Sequence, residues 1–251
     1  MSLDKLKKFT QARIDLARSG WALKTCELLK LKEDLAKAQD AVLSPWCWES
    51  LQQKLEEQNY KTLALKSRAD SREIYLQRPD LGRILSEESE NILSHIKPNY
   101  DIVIIISDGL SSRAITNNFL GLWNILSLLL NKSKFSLAPL CLVPFARVAL
   151  SDQIAFRIKA KLSIIILGER PGLSAPDSLG IYLTYKPHES TCDADRNCIS
   201  NIRAPDGLSY EDAAHKLWYL ITTSFKLKLS GVNLKESFSH PKHISTRRLP
   251  K

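Results

Sequence analysis

Five consecutive β-branched residues, Ile102-Val103-Ile104-Ile105-Ile106, run up to Ser107-Asp108-Gly109. The run is too short and too branched for a helix and has no polar face, so it predicts a strand buried on both sides. Such a strand needs helices above and below it. The chain supplies them in order. Ile115, Phe119, Leu122, Trp123, Leu126, Leu129 and Leu130 draw a helical stripe, and residues 139–143 form a second, weaker strand. Residues 153–159 follow as a short helix, and 162–167 as a third strand stopped by Gly168-Glu169-Arg170-Pro171-Gly172. Strand, helix, strand, helix, strand predicts an α/β fold with a Rossmann-like, doubly wound, mainly parallel sheet.

The first hundred residues carry a different pattern and predict an N-terminal helical region. Leu28, Leu31, Leu35, Ala38 and Val42 fall at steps of three and four before Ser44-Pro45 ends the pattern. Leu51, Leu55 and Leu63 extend a second helical pattern. A third, through Ile84, Leu85, Glu88, Ile92, Leu93 and Ile96, stops at Lys97-Pro98. No strand-like alternation stands before Tyr100. The last helix is marked by Ser209 and Asp212 as a capping box, a stripe through Ala214, Leu217, Trp218, Ile221 and Phe225, and Gly231 beyond its end. The expected division is a helical region over 1–98, the α/β domain over 99–234 and a flexible basic tail over 235–251.

Composition narrows the function classes. The longest apolar stretch, 119–130, is interrupted by Asn124 and falls short of the roughly 18 residues that span a bilayer, so a membrane protein is excluded. Five cysteines at irregular spacings, behind a lysine-rich start with no apolar core, fit a reducing cytoplasm better than a secreted disulfide framework. The net charge of +9 is unevenly spread, with 17 Lys+Arg against 15 Asp+Glu in residues 1–100 and 19 against 12 thereafter. The tail alone holds five basic residues and one acidic. A basic tail attracts polyanions without specifying which, so nucleic-acid binding stands as one reading.

In open α/β sheets ligands sit at the carboxyl ends of strands, which directs the search to the loops 107–112 and 168–173. Asp108-Gly109-Leu110-Ser111-Ser112 leads from strand to helix, so its amides could hold a phosphate or an amide oxygen, or form a tight turn with a serine cap. Glu169 could accept hydrogen bonds from a ligand or pair with Arg170 at the surface. Arg147-Val148 follows the second strand in the same layer, as a ligand contact or as a surface arginine beside a core valine. Residues 193–203 concentrate polar groups without helical or strand period, as a ligand-facing loop or a solvated turn. Cys198 lies there without a neighbouring histidine, so a small apolar role competes with a nucleophilic one. No G-x-G, Gly-Lys-Ser/Thr, C-x-x-C or G-x-S-x-G occurs, and no nucleic-acid recognition module is present. No self-contained catalytic set or metal site is predicted.

Five blocks then resemble a known family. They are Ser67-Arg68-Ala69, Tyr75-Leu76-Gln77-Arg78-Pro79-Asp80-Leu81-Gly82-Arg83, Ser107-Asp108-Gly109-Leu110-Ser111, Gly168-Glu169-Arg170-Pro171-Gly172-Leu173 and Asp195-Arg196-Asn197-Cys198-Ile199-Ser200-Asn201-Ile202. Together with Ala12-Arg13-Ile14 and Leu229-Ser230-Gly231-Val232 they look like the small subunit of ethanolamine ammonia-lyase over nearly the whole chain. The resemblance implies an adenosylcobalamin-dependent lyase that converts ethanolamine to acetaldehyde and ammonia by a radical route. It implies a hetero-oligomer in which a large subunit carries the substrate site and this chain covers part of the cobalamin. It assigns cobalamin contacts to Val148, Glu169 and Cys198, with Asp108, Arg147 and Arg170 as supporting positions. No catalytic residue, metal ligand, nucleic acid or membrane partner is implied for this chain.

Asp15 and Ala17 stand where the family usually has glycines, and Leu35 where it usually has a histidine, which bears on the contact with the large subunit. The family core begins within about ten residues of Met1, so the extension linked to packaging in a bacterial microcompartment is expected to be absent and the address cytoplasmic. The competing readings are a free-standing α/β module that binds a nucleotide-like or phosphorylated ligand through residues 108–112, and a basic nucleic-acid-binding protein.

Overall fold

The computed structural model describes residues 18–235. The block 12–14, Asp15, Ala17 and the expected tail beyond Lys235 lie outside them. Among the described residues a small hairpin, β1 (Arg18–Ser19) and β2 (Ala22–Leu23), precedes a six-stranded sheet in the order β3-β5-β4-β6-β7-β8. The strands are β3 (Thr62–Ala64), β4 (Ile102–Ser107), β5 (Leu140–Leu142), β6 (Leu162–Gly168), β7 (Leu179–Tyr185) and β8 (Arg196–Ile202). Among the described residues seven α-helices accompany them: α1 (Thr25–Leu43), α2 (Trp48–Glu57), α3 (Arg72–Gln77), α4 (Glu87–Ser94), α5 (Ser112–Asn131), α6 (Leu150–Arg157) and α7 (Tyr210–Leu227). No helix among the described residues is long and apolar enough to cross a membrane.

The β-branched run is the middle of the molecule. All six residues of β4 are buried, and alternation sends them to two cores. Ile102, Ile104 and Ile106 meet Leu51 and Leu55 of α2, Phe119, Leu122 and Trp123 of α5, and Leu217 and Ile221 of α7. Val103 and Ile105 meet Leu93 of α4 and Leu150 and Ile154 of α6 on the other face. Each such side chain contributes about 1.5–3 kcal/mol by leaving water, so one strand stabilises both layers at once. Tyr60 meets Trp123 edge to face, with ring centroids 5.0 Å apart.

The sheet is mixed. β3, β5, β4 and β6 run parallel, whereas β7 pairs antiparallel with β6 and β8 antiparallel with β7. The expected alternation of strands and helices from Ile102 to Leu167 is present; β4 and β6 start where expected, and other ends are displaced by a few residues, so that α6 starts at Leu150.

Expectations before Tyr100 and over 193–203 need correction. The hairpin and β3 both stand before Tyr100, and Leu63 belongs to β3, not to the helical pattern of Leu51 and Leu55. A three-residue edge strand is too short to show alternation. The polar segment 193–203 holds β8, whose outer position leaves Cys198, Ser200 and Asn201 exposed while Ile199 and Ile202 are buried. The last helix, by contrast, ends as expected before Gly231, at Leu227, with Lys228 in the left-handed conformation, φ 58°. In α1 only Ala38 and Ala41 are buried, and Leu28, Leu29 and Leu35 are 39%, 59% and 48% exposed. Of the stripe, Ala38 is buried and Leu31 and Val42 are half-buried, whereas Leu28 and Leu35 are left uncovered by the described residues.

Candidate functional site

β4 has its neighbours β5 and β6 on opposite sides, so the loops that follow these three parallel strands diverge at their carboxyl ends. A pocket of about 460 Å³ opens there. Ala146, Arg147 and Val148 come from the loop after β5, Leu110 from the loop after β4, and Leu167, Gly168, Glu169 and Arg170 from the end of β6. Tyr75 of α3, Tyr182 of β7 and Ser200 of β8 complete the wall. The volume is that of a small-molecule cleft.

The backbone at the pocket floor is packed as tightly as glycine allows. Gly109 adopts φ +53°, and a Cβ there would lie 2.3 Å from the Gly168 carbonyl oxygen. A Cβ on Gly168 would lie 2.0 Å from the Ser111 carbonyl oxygen. The Leu110 N–H donates to that Gly168 carbonyl at 2.9 Å, which joins the two loops. Three more amides here are engaged. The Gly109 N–H donates to Ser107 Oγ at 3.3 Å, the Ser111 N–H to the Asp108 carbonyl at 3.1 Å, and the Ala114 N–H to Ser111 Oγ at 3.3 Å. This is the tight turn with a serine cap.

Asp108 ties that turn to the rest of the site. Its carboxylate is 2% exposed and accepts from the Phe145 N–H at 2.8 Å, from Arg72 Nη1 at 3.2 Å and from Ser107 Oγ at 3.3 Å. Burial pushes the Asp108 carboxyl up and the Arg72 guanidinium down from their ordinary values, and each charge counters the shift of the other. Phe145 sits in the left-handed region, φ 58°, a conformation costly for a bulky residue. Its bond to Asp108 holds the loop that presents Arg147 and Val148. Arg72 also donates to the carbonyls of Gly109 at 2.6 Å and Val42 at 2.5 Å, which anchors the end of α1.

Arg147 lies with its guanidinium carbon 4.1 Å from the centre of the Tyr75 ring and donates from Nη2 to the Tyr75 carbonyl at 3.1 Å. Its Nε is buried and has no hydrogen-bond partner among the described residues. Burial pushes the Tyr75 phenol up, and its hydroxyl donates to the Ala146 carbonyl at 3.3 Å. Tyr75 was not singled out as a site residue from sequence, where it is one apolar position in a short helix.

Of the three expected contact residues, Val148 and Glu169 line the pocket, both half-buried. Cys198 is exposed and sits opposite Tyr182 across the β7–β8 pairing. Burial pushes the Tyr182 phenol up, and the Cys198 thiol bonded to it adds to the rise. The bonded partners of Glu169 are Ser178, Ser200 and Asn201 rather than Arg170, which is exposed at the rim. The wall thus combines apolar surface with the Arg147 side chain and the Glu169 carboxylate.

The comparisons with known proteins agree with one another. The family model for the ethanolamine ammonia-lyase light chain matches residues 1–235. This chain belongs to that family. An ethanolamine ammonia-lyase small subunit from Xanthomonas campestris pv. campestris (strain B100) is 42% identical over 241 residues, covering 94% of this chain and 88% of the relative. The one from Azotobacter vinelandii is 44% identical over 235 residues, covering 92% and 87%. The one from Pseudomonas aeruginosa (strain UCBPP-PA14) is 43% identical over 235 residues, covering 92% and 86%. Family membership spans the helices before β4 as well as the sheet and its pocket.

Proposed function

We propose that this chain is the small subunit of an adenosylcobalamin-dependent ethanolamine ammonia-lyase, and that its pocket covers part of the cobalamin while a large subunit holds ethanolamine. The observation that carries the reading is the meeting of Val148 and Glu169 in one wall at the strand ends, with Cys198 beside the Tyr182 of that wall. Bound adenosylcobalamin would supply the radical chemistry that removes ammonia from ethanolamine and leaves acetaldehyde. The residues of this chain bind and orient. Val148 and the Tyr182 face offer apolar packing, Glu169 offers an acceptor, and Arg147 brings a positive charge to the wall. Cys198 contributes close packing at the outer edge.

The architecture supports this placement. The neighbours of β4 lie on its two sides and helices lie on both faces of the sheet, which we read as a Rossmann-like, doubly wound arrangement with its crevice at this end. In our reading residues 99–234 form the cobalamin-contacting domain and residues 1–98 meet the large subunit. The unburied leucines of α1 are the surface left for that contact. The engaged amides of the β4–α5 turn argue against a free-standing phosphate-binding module, and we place the assembly in the cytoplasm.

Co-expression with a large subunit tests the reading. The expected result is a stable complex that takes up cobalamin with a change in its absorption spectrum and releases acetaldehyde from ethanolamine, with neither chain active alone. A chain that stays apart from the large subunit and leaves cobalamin uptake unchanged would refute it.

A further inference from the structure

The side chain of Glu169 is held by this chain from three sides. Ser178 Oγ donates to its Oε2 at 2.7 Å, the Asn201 N–H donates to the same oxygen at 3.0 Å, and Ser200 Oγ donates to Oε1. Its own N–H donates to the Ser178 carbonyl at 3.0 Å, so the residue is fixed at both ends. A Cβ on Gly180 would lie 3.0 Å from Glu169 Cγ and 3.1 Å from Oε1; the glycine is what lets the carboxylate lie against β7. The donors come from the approach to β7 and from β8, and together they brace the loop leaving β6.

An ionised carboxyl group is an acceptor only and offers about four lone-pair sites. Two donors fall on Oε2 and one on Oε1, so the remaining site is on Oε1. Glu169 and Ser200 both line the pocket, which places that site where a ligand arrives. An unclamped glutamate would lose rotamer freedom on binding, and the clamp removes that cost beforehand.

We propose that Ser178, Ser200 and the Asn201 N–H are positioning groups that present Glu169 as a one-site acceptor for a primary carboxamide on the rim of the corrin, and that they exclude an anion from that position. The proposal rests on the cobalamin reading above and adds a selectivity to it. A carboxamide brings the N–H that Oε1 lacks, whereas a peripheral carboxylate would set two acceptor-only groups against each other.

The ligand side of the test uses unaltered protein, so it does not depend on any variant folding. The complex with the large subunit is titrated by absorbance with cyanocobalamin and, separately, with its isomeric monocarboxylates, each having one peripheral carboxamide hydrolysed. One isomer is expected to bind about tenfold or more weakly, as for a lost hydrogen bond to a charged group, while the others stay within about threefold. In the Glu169→Gln complex that isomer should recover relative to cyanocobalamin. On the protein side, Ser178→Ala with Ser200→Ala should weaken cyanocobalamin binding about tenfold or more, and Ser200→Thr, which keeps the hydroxyl, should stay near wild type. Equal binding of all monocarboxylates would overturn the selectivity. A double variant that assembles and binds like wild type would overturn the positioning role. A wild-type complex that takes up no cyanocobalamin would instead sink the underlying cobalamin reading.

Discussion

Replacing Asp108 by alanine should damage both the fold and the pocket, and the size of the effect follows from its partners. The carboxylate is 2% exposed and faces an Arg72 side chain that is 16% exposed. Removing one member of a buried pair leaves the other charge uncompensated, at about 3–5 kcal/mol. Arg72 would keep the carbonyls of Gly109 and Val42, which argues for the lower end, about 3 kcal/mol. The Phe145 N–H also loses its acceptor. For a chain of this size each kcal/mol moves the melting temperature by about 2–4 °C, so a loss of about 6–12 °C is expected by calorimetry. Asp108→Asn should lose less, because an amide oxygen can still accept from Phe145. The cycle with Arg72→Met supplies the decisive comparison, since without the guanidinium the alanine change should cost less by about 1–2 kcal/mol. An Asp108→Ala protein melting within about 1 °C of wild type, or a cycle with no coupling, would refute the account of the β4–α5 turn.

Three further outcomes are expected. Gly168→Ala should fail to accumulate as folded protein, because its new methyl would meet the Ser111 and Asp108 carbonyl oxygens at 2.0 and 2.6 Å, whereas Gly172→Ala, with nothing closer than 3.8 Å, should be tolerated; soluble yield and circular dichroism compare the two. Leu28→Ser with Leu35→Ser should leave the melting temperature of the isolated chain nearly unchanged and weaken recovery of the large subunit in a pull-down, because both leucines are largely exposed. Asp101 is held below the ordinary carboxylate value: partial burial raises it, but the Ser136 N–H and hydroxyl, each at 2.9 Å, and Lys161 Nζ, also at 2.9 Å, outweigh that. Its stabilisation is therefore present above the unfolded value of about 3.9 and is lost as pH falls through the folded one. Asp101→Asn should flatten the acid limb of a urea-midpoint profile, and an unchanged limb would contradict this.

The sequence was most legible where burial is complete. The β4 and β6 segments announce themselves because both faces are covered, so their interiors are apolar except for Ser163. β8 was illegible for the opposite reason: an outer strand with polar residues on its open face has the composition of a loop. β3 is too short to carry any period. The loops at the strand ends were located from sequence, and Val148 and Glu169 do converge there. Their roles were not legible. The donors that clamp Glu169 lie 9, 31 and 32 residues away, and the choice between them and the adjacent Arg170 is made by tertiary packing. The α1 stripe shows the converse limit: a period of 3.6 states that a face is apolar, not which molecule covers it.

The pocket has a consequence for the order of events in folding. Its wall is drawn from Tyr75 through Leu110, Val148 and Glu169 to Ser200, so no local fragment contains it and it exists only after the long-range strand pairings have closed. Contacts of such sequence separation form slowly because chain entropy is lost before they are rewarded. A ligand of this pocket therefore cannot guide the early steps of folding; it can only act on finished molecules, drawing the equilibrium toward them by mass action. Competence to bind is acquired last and all at once, which makes ligand uptake a direct count of correctly folded chains.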